Sequence, residues 1–406
     1  MRLAYFGSGY VGQVNAAVQA SKGHDVILVD IREEVVNSIN NRKPTIYEKG
    51  LQELFLKGNL KATTDYVSAV KSSEVIFICV GTPSSPDGSI DLSAIRSVSR
   101  NIGEGIEKSD DFKVVAVKST VLPWVPEEVV AKEIKSVTDK PFGLVMNPEF
   151  LKEGTAVNDC LNPDSIVIGG DEQSVSIVKR VYEWSEVRPT ITGIREASLV
   201  KYAKNSFLAT KISFANTIAN YCDRMGINSR KVLRIMSEDK RISPLFLEPG
   251  PGFGGSCFPK DVSALAHDSK DAILLNAVLD VNKNQYLRML ELAGDIPQNV
   301  AVLGLSFKPG TDDVRESPAI KLVNRLLEKG HNVRVYDPEA LENAMKEIKG
   351  AEACSNVKEC VEGADMVFIP VPWEEFRTVR EYTDAPIIQG HKFLEGEGII
   401  TLGSGT

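Results

Sequence analysis

The sequence predicts an α/β protein with two Rossmann-like, doubly wound parallel-sheet domains joined by a long central helix. Three observations support this fold class. Strand and helix patterns alternate from residue 2 onward, the helical pattern is unbroken over residues 196–225, and after Pro297 the chain repeats the motifs of its beginning. We therefore expect an N-terminal domain at 1–195, a central helical region at 196–295 and a C-terminal domain at 296–406.

The first strand–helix–strand unit carries a glycine motif. An apolar strand at 3–6 runs into Gly7-Ser8-Gly9-Tyr10-Val11-Gly12, then a helical stretch and a second strand that ends in Asp30. In this context Gly7 permits a tight turn, Gly9 lets a pyrophosphate approach the backbone, and Gly12 allows close packing of helix and strand. The motif therefore predicts a dinucleotide site rather than a turn shaped by glycine alone.

The acid at the end of the second strand indicates which dinucleotide binds. Asp30 is placed to accept a hydrogen bond from a ribose 2′-hydroxyl and to repel a 2′-phosphate, which favours NAD over NADP. Arg32, two residues on, weakens this preference slightly.

Further strands of the first sheet are expected at 75–80, 114–118 and 144–146, with residues 166–170 as the last. Ligands of open parallel sheets lie outside the carboxyl ends of the strands. Thr82, Ser119 and Thr120 follow two of these strands and are therefore candidates for the cofactor edge.

The stretch after residue 146 combines an amide with two acids. If Asn147 caps a short helix with Pro148 in its first turn, Glu149 and Glu153 lie one turn apart on the same face. Solvent-facing acids are the alternative interpretation.

The long helical pattern has apolar residues spread too widely for one buried stripe. Such a helix is expected to be covered on most sides, by domains and by a partner subunit, so the sequence predicts a homodimer. Lys201 and Asn205 lie four residues apart on this helix, where a cation and an amide could hold an oxyanion. A lysine whose stem only covers apolar surface is the alternative.

Residues 249–261 contain four glycines and then a single thiol. Cys257 is expected just before a helix that has Pro259 in its first turn, where the helix dipole and Lys260 favour the thiolate. Asp261 follows one turn later, so a nucleophile and an acid–base group could face one cavity.

The C-terminal repeat keeps the strand pattern but changes the turn. Residues 300–305 correspond to the first strand, and the stretch ending in Asp337 corresponds to the one ending in Asp30. The repeat lacks the glycine motif and has Phe307, Lys308 and Arg315 in the corresponding region. A similar fold with a different nucleotide ligand is therefore expected.

Composition excludes several other classes. The 406 residues carry a net charge of −8 without a basic run, which argues against nucleic acid or a membrane surface as partner. No apolar stretch approaches the roughly 20 residues of a membrane span, so we expect a cytoplasmic protein. The six cysteines and four histidines are scattered, so we expect neither disulfides nor a metal site.

Taken together, the motifs resemble those of the nucleotide-sugar dehydrogenases over nearly the whole chain. The resemblance depends on segments that together are very specific: Gly7–Gly12, Gly81-Thr82-Pro83, Ser119-Thr120-Val121, Asn147–Gly154, Lys201 with Asn205, Gly252–Asp261, Phe307-Lys308-Pro309 and Arg315–Pro318.

The resemblance implies a role for each matching residue. Cys257 would be the nucleophile, Lys201 and Asn205 would stabilise an oxyanion, Asp261, Thr120 and Glu149 would handle protons and water, and Glu153 would lie at the reacting sugar. The implied NAD-binding residues are Gly7, Gly9, Tyr10, Val11, Gly12, Asp30, Thr82, Pro83, Ser119, Thr120, Lys260 and Arg315. The implied substrate-binding residues are Glu149, Phe150, Leu151, Glu153, Lys201, Asn205, Arg241, Phe246, Gly252, Phe307 and Lys308, with Arg241 reaching the site of the other subunit.

The implied reaction is a four-electron oxidation of a sugar alcohol to a carboxylate with two NAD, through a thioester on Cys257. The Cys257–Asp261 segment is closer to the branch that acts on UDP-glucose than to those that act on GDP-mannose or UDP-N-acetylmannosamine. The chain departs from the family pattern at Val35, at Ser165 and at Gln389-Gly390-His391, where the family usually brings an arginine to the substrate.

Two other functions remain open at this stage. One is a two-electron dehydrogenase of the 3-hydroxyacid or 6-phosphogluconate type, against which Cys257 and the second Rossmann-like unit count. The other is a non-catalytic NAD-binding sensor, which would not need the thiol, the two glutamates and Lys201 together.

Overall fold

A computed structural model describes residues 1–405, which form two compact units, Met1–Lys204 and a second that begins at Asn205. Each unit contains one sheet that is parallel or nearly so, with helices on its faces, as the sequence predicts. The long helix Ile194–Arg224 contains the boundary between the units.

The first unit is built on an eight-stranded sheet. Its strands are β1 (Arg2–Phe6), β2 (Asp25–Val29), β3 (Leu60–Thr63), β4 (Val75–Ile78), β5 (Lys113–Val117), β6 (Phe142–Met146), β7 (Val167–Gly170) and β8 (Thr190–Thr192). They lie in the order β3-β2-β1-β4-β5-β6-β7-β8. The strand order reverses between β1 and β4, so a crevice is expected at the carboxyl ends of these two strands.

Eight α-helices pack with this sheet. They are α1 (Tyr10–Ser21), α2 (Glu33–Asn40), α3 (Leu51–Lys57), α4 (Tyr66–Ser72), α5 (Ser93–Glu107), α6 (Ala131–Lys135), α7 (Ala156–Leu161) and α8 (Glu172–Lys179). A π-helical turn, Pro126–Val130, precedes α6, and a 3₁₀ turn, Arg180–Tyr182, follows α8. The central strands are buried along their whole length because helices cover both faces of the sheet, which explains the continuous apolar runs of β4 and β5.

Two expectations for this unit are wrong. Residues 166–170 do not end the sheet, because β8 follows and pairs with β7. Moreover, β7 runs antiparallel to β6, with Val145 opposite Gly170. The connection between β6 and β7 therefore contains no full crossover, and it is this connection that carries residues 147–155.

The second unit repeats the same plan. After α9 (Ile194–Arg224) it contains α10 (Ser229–Met236), α11 (Phe258–Asp268), α12 (Ile273–Asn284), α13 (Leu287–Ala293), α14 (Pro318–Glu328), α15 (Leu341–Glu347) and α16 (Val357–Val361). Its strands are β9 (Asn299–Leu303), β10 (Asn332–Tyr336), β11 (Glu352–Ala353), β12 (Met366–Ile369), β13 (Ile387–Gln389) and β14 (Ile399–Thr401), and a 3₁₀ helix spans Glu374–Glu381.

These six strands form an all-parallel sheet in the order β11-β10-β9-β12-β13-β14. The order again reverses at the first strand of the unit, between β9 and β12. Separate apolar cores cover the two faces, one containing Val300 and Val302 and the other containing Ala301 and Leu303. The predicted internal repeat is therefore seen in the structure as the same reversal of strand order next to the first strand of each unit.

Within residues 1–405, no helix is both long enough and apolar enough to cross a membrane.

The glycine turn after β1 gives a test of packing in the fold. A Cβ atom on Gly12 would overlap the carbonyl oxygen of Gly7, whereas one on Gly9 would meet nothing within 4 Å. We expect Gly12→Ala to destabilise the protein by about 3 kcal/mol or more, because rigid backbone must shift. The matched variant Gly9→Ala should cost less than about 1 kcal/mol. Urea unfolding of both variants checks this, and equal losses would contradict the assigned packing.

Candidate active site

The turn Gly7–Gly12 has two glycines that are packed and one that faces open space. Gly7 has a φ of +101°, and a Cβ there would lie 2.9 Å from the carbonyl carbon and oxygen of Cys79. The space beside Gly9 is open, and α1 begins at the next residue without a side-chain cap. A helix N-terminus of this kind binds phosphate well. The turn therefore fits the pyrophosphate of NAD.

Asp30 lies beside this turn at the end of β2. Its carboxylate accepts hydrogen bonds from the backbone N–H of Ser8 at 3.1 Å and from Nε of Arg32 at 3.1 Å. Burial would raise the pKa of Asp30, but the hydrogen bonds from Arg32 and Ser8 outweigh it and hold the pKa below its usual value. Asp30 is therefore an ionised hydrogen-bond acceptor. Arg32, expected from the sequence only to weaken the preference for NAD, is its direct ion-pair partner.

The carboxyl ends of β4 and β5 bring the next predicted residues together. Ser119 Oγ donates to the carbonyl oxygen of Val80 at 2.7 Å, and Thr82 Oγ1 donates to that of Thr120 at 2.9 Å. Pro83 follows in the same loop, where its carbonyl oxygen accepts from the N–H of Asp91 at 2.8 Å. These residues lie at the edge of the sheet where a ligand of the first unit is expected.

Glu149 and Lys201 form a buried ion pair. Lys201 Nζ lies 2.8 Å from Glu149 Oε1, and the two residues are 3% and 9% exposed. Burial would raise the pKa of Glu149, but the charge and hydrogen bond of Lys201 and the N–H of Leu151 hold it below its ordinary value. Glu149 is thus a carboxylate at neutral pH, and the lysine does more than cover apolar surface.

The helix expected to begin at Asn147 is absent. Residues 147–152 are irregular and a turn at 153–155 leads into α7, so Glu149 and Glu153 do not share a helix face. The cause is that the side chain of Asn147 is used elsewhere: its Oδ1 accepts from Lys118 Nζ at 3.0 Å and from the hydroxyl of Tyr182 at 2.5 Å. An amide with these partners cannot act as an N-cap.

Lys118 is a residue that sequence reasoning missed. It is 3% exposed, and its ammonium group also lies 3.2 Å from the hydroxyl of Tyr182. Its charge helps to lower the pKa of Glu149. The available signal was a lysine at the end of an otherwise apolar strand, which is rarely buried without a polar partner.

Glu48 is a second missed residue. Its carboxylate accepts from the backbone N–H of Gly154 at 2.8 Å and of Ala156 at 2.9 Å, and from the hydroxyl of Tyr10. The carboxylate therefore joins the glycine turn to the segment that carries Glu153. No local pattern around residue 48 indicates this role, because all its partners are distant in sequence.

The other residues predicted in this segment lie around the ion pair. The ring of Phe150 faces the ammonium groups of Lys204 at 4.3 Å and Lys201 at 5.8 Å from its centroid. Leu151 is partly buried against the core of the first unit. Phe150 therefore lies on a cluster of positive charge.

In the second unit, Cys257 immediately precedes α11, as predicted. The N–H of Asp261 donates to the carbonyl oxygen of Cys257 at 2.8 Å, which places the two residues one turn apart. Asp261 is 1% exposed, and its Oδ2 accepts from Asn205 Nδ2 at 2.6 Å. Lys260 Nζ bonds the other carboxylate oxygen. Cys257 itself is partly exposed, with Ser256 Oγ at 3.5 Å from its sulfur.

Aromatic rings surround the start of α11. The ring centroid of Phe258 lies 6.2 Å from that of Phe246 and 6.0 Å from that of Phe253. Between them, Gly252 has a φ of +116°, which favours glycine. Phe246 therefore lies near the start of α11, whereas the neighbour of Gly252 is Asn282. Arg241 is 88% exposed at its side chain and pairs with Asp239.

A cavity of about 340 Å³, here called the C-terminal cavity, lies in the second unit at the carboxyl ends of β9 and β12. It is lined by Pro251, Phe307, Lys308, Pro309, Pro318, Ala319, Pro370, Val371, Pro372 and His391. This is the point where the strand order reverses, which is the usual ligand position in such sheets. Arg315 follows on the same connection and pairs with Asp313 at 2.7 Å.

Asp337 follows the second strand of its unit, as Asp30 does in the first unit, but its carboxylate has different hydrogen-bond partners. Its Oδ2 accepts from the N–H groups of Leu305 and Ser306 at 2.7 and 3.1 Å and from Trp373 Nε1 at 3.2 Å, while Oδ1 accepts from the N–H of Ala340 at 2.7 Å. Protein donors thus occupy this carboxylate. In the second unit Asp337 therefore holds the turn after β9 in place, and it is not available to bind a ribose as Asp30 is expected to do in the first unit.

The three segments that depart from the pattern of the nucleotide-sugar dehydrogenases lie in different parts of the structure. Val35 is buried in the core of the first unit, and Ser165 lines a cavity of about 60 Å³ that Glu149 also lines. Gln389 is buried and bonds to Thr401 and Leu394, so it cannot reach a ligand. His391 lines the C-terminal cavity, where burial lowers its pKa. A largely neutral imidazole thus stands in this wall.

The Glu149–Lys201 pair gives a prediction with a pH signature. Lys201→Met leaves a buried carboxylate without its cation, which should cost about 3–5 kcal/mol at pH 8. The pKa of Glu149 should then rise above its unfolded value, so the loss should shrink as the pH falls toward 5.5 and the carboxylate takes up a proton. In the unchanged protein the pKa is depressed, so this pair should lose stability only at still lower pH.

The matched control is the double variant Lys201→Met with Glu149→Gln, which has no carboxylate to titrate. Its loss should be smaller and independent of pH between 5.5 and 8, as measured by urea unfolding followed by tryptophan fluorescence. An equal, pH-independent loss in the single variant would show that the pair does not set the charge of Glu149.

Comparison with known proteins identifies the family of this chain. Three models of one family, the UDP-glucose/GDP-mannose dehydrogenases, match in order: the NAD binding domain at residues 1–185, the central domain at 195–284 and the UDP binding domain at 301–396. A UDP-glucose 6-dehydrogenase of Haloferax volcanii is 40% identical over 99% of this chain and 97% of its own length. A GDP-mannose 6-dehydrogenase of Pseudomonas syringae is 39% identical over 83% of this chain and 81% of its own.

A solved structure, a UDP-glucose dehydrogenase from the archaeon Pyrobaculum islandicum, superimposes with a TM-score of 0.94 at 36% identity, covering 99% of this chain and 97% of that one. The chain belongs to the UDP-glucose/GDP-mannose dehydrogenase family, and its cofactor is NAD.

Proposed function

We propose that the protein oxidises UDP-glucose at C6 to UDP-glucuronate, a four-electron reaction that consumes two NAD and one water. The observation that carries the proposal is Cys257 at the start of α11, one turn from a buried carboxylate held by Asn205 and Lys260. A two-electron alcohol dehydrogenase has no need of such a thiol.

The steps follow from this arrangement. The alcohol at C6 loses a hydride and a proton to give an aldehyde, and the thiolate of Cys257 adds to it to form a thiohemiacetal. Loss of a second hydride and proton gives a thioester, which water cleaves to the carboxylate and the free thiol. The turn Gly7–Gly12 and Asp30 would hold NAD, which would supply a hydride acceptor for both oxidations.

The remaining residues serve these steps. Lys201 and Asn205 supply a cation and an amide from one helix to the oxyanion that develops at C6. Asp261, Thr120 and Glu149 take and return protons and place the water, and Glu153 contacts the reacting sugar. Gly7–Gly12, Asp30, Thr82, Pro83, Ser119, Lys260 and Arg315 hold NAD. Phe150, Leu151, Phe246, Gly252, Phe307 and Lys308 hold the UDP-sugar.

The same reasoning assigns a task to each region. Residues 1–195 bind NAD, 196–295 provide the nucleophile and the dimer contact, and 296–406 bind the UDP part of the substrate. The name of the relative that matches 99% of this chain supports UDP-glucose. GDP-mannose is the second candidate, because a GDP-mannose 6-dehydrogenase is almost as similar over a shorter part.

The test of function is the amount of NADH formed per nucleotide-sugar consumed. We expect about two NADH from UDP-glucose and a kcat/KM for UDP-glucose well above that for GDP-mannose or UDP-N-acetylmannosamine. One NADH per nucleotide-sugar would identify a two-electron dehydrogenase, and no NADH would indicate a binding protein without this activity.

Cys257→Ser should form no carboxylate while UDP-glucose and NAD bind with little change, because a hydroxyl is a far weaker nucleophile. Cys222→Ala, at a buried cysteine of the same unit, is the control and should turn over normally.

We infer further that the protein is a homodimer in which Arg241 acts across the interface. On α9, Phe207, Phe214 and Tyr221 recur every seventh residue and are 65%, 44% and 57% exposed. Such an exposed apolar stripe is typical of a surface that a second copy covers. Arg241 is also exposed, and its guanidinium could meet a phosphate or sugar hydroxyls as a fork.

Complementation between two impaired variants, Arg241→Ala and Cys257→Ser, tests this arrangement. Arg241→Ala should raise the KM for UDP-glucose about tenfold, or roughly 1.4 kcal/mol, and leave the KM for NAD unchanged. After exchange of subunits with Cys257→Ser, about a quarter of all sites should be complete, because half the dimers are mixed and each has one intact site. At low UDP-glucose the mixture should then exceed the sum of its parts. Confirmed exchange without added activity would place Arg241 outside the partner's site.

A further inference from the structure

The loop that leads to Cys257 forms a wall of the C-terminal cavity. Pro251 lines the cavity directly. On one side of it, a Cβ atom on Gly250 would overlap the imidazole ring of His391, another residue of the cavity wall. In return, a Cβ on Gly390 would come within 2.9 Å of Pro251 Cδ. Glycine at these positions lets the backbone of each segment lie directly against a side chain of the other, His391 or Pro251.

The other end of the loop packs on Phe307. A Cβ on Gly255 would lie 2.9 Å from Cε2 and Cζ of the Phe307 ring, and one on Gly254 would lie 2.6 Å from the carbonyl oxygen of Glu316. The N–H of Gly255 also donates to the carbonyl oxygen of Arg315 at 2.8 Å. The glycines of this loop therefore approach other protein atoms.

Hydrogen bonds hold both segments of this contact. In the loop, Phe253 exchanges two hydrogen bonds with the side chain of Asn282, at 2.7 and 2.9 Å. The N–H of Phe307 donates to the carbonyl oxygen of Asp313 at 3.0 Å, which closes the segment that carries Lys308. The space between Gly255 and the Phe307 ring is too small for a methyl group, so a shift of the ring toward the loop would press on Gly255. Cys257 follows two residues later.

We propose that nucleotide in the C-terminal cavity positions Cys257 through the contact between Phe307 and Gly255. Phe307 is then a positioning residue for the nucleophile in addition to a wall of the cavity, and the ligand that acts on it is the nucleoside diphosphate part of the substrate. This inference depends on the proposed function for the choice of ligand. It also requires reciprocity: a change in the loop must alter the affinity for nucleotide as much as nucleotide alters the loop.

The experiment uses UDP, which lacks the sugar that Cys257 would attack, and measures the rate at which iodoacetamide alkylates Cys257, by peptide mass spectrometry. Burial raises the pKa of Cys79 and of Cys160 to about 12, so these thiols should contribute little background. We expect saturating UDP to slow alkylation of Cys257 at least threefold, because a loop held against the occupied cavity exposes its thiolate less often.

Two glycines provide a matched pair of variants. Gly255 and Gly330 have φ values of +81° and +87°, so alanine strains the backbone similarly at both positions, but a Cβ meets Phe307 at the first and nothing within 4 Å at the second. Gly255→Ala should weaken UDP binding at least tenfold in calorimetry and abolish the effect of saturating UDP on alkylation. Gly330→Ala should respond as the unchanged protein does. Phe307→Leu, which removes the ring without backbone strain, should also abolish the effect if Gly255→Ala fails to fold.

Unchanged alkylation at saturating UDP would overturn the inference, as would a response that survives in Gly255→Ala or Phe307→Leu. Failure of UDP to bind the unchanged protein would overturn it as well. The proposed function fails separately: UDP could bind and slow alkylation while UDP-glucose yields no NADH, and then the coupling stands without the four-electron reaction.

Discussion

The buried cation of Lys201 and the carboxylate of Glu149 depend on each other, and much of the first unit's candidate site depends on the pair. Neither charge could remain in a low-dielectric interior without the other, because each would lose its hydration. Their contact fixes one point of the irregular connection after β6. Lys118 and Tyr182 fix another through Asn147, and Glu48 fixes a third through Gly154. Side-chain charges here replace the hydrogen bonds that regular secondary structure would supply.

This arrangement explains which parts of the molecule could be predicted from sequence. The strands and the glycine turn follow from local periodicity and from the steric needs of Gly7 and Gly12, and the length of α9 follows from its unbroken helical pattern. The shape of residues 147–155 could not be found in this way. Its hydrogen bonds come from Lys118, Tyr182 and Glu48, which are far away in sequence, and a short-range pattern suggested a helix that these distant partners exclude.

Glycine serves different physical needs at two places in the chain, the turn after β1 and the loop before Cys257. Gly7 lets the turn lie against the backbone of Cys79, Gly12 lets the first turn of α1 lie against the carbonyl group of Gly7, and Gly9 leaves open space for a phosphate. In the loop before Cys257, Gly250, Gly254 and Gly255 permit contact with the C-terminal sheet and its connections. The sequence shows each glycine equally well, but only the surrounding atoms distinguish a position that admits a ligand from one that admits another part of the protein.

The hydrogen bonds of Asp337 have a consequence for attempts to redesign the second unit. Restoring the missing glycines after β9 would recreate the backbone of a dinucleotide turn, since the sheet order and the strand-end acid are already present. The acid would still be committed to Leu305, Ser306, Ala340 and Trp373. A ribose hydroxyl would have to displace at least one of these donors and leave it buried without an acceptor. An internal repeat can thus keep the fold and the strand-end acid of the first unit while its hydrogen bonds exclude the ligand that the first unit binds.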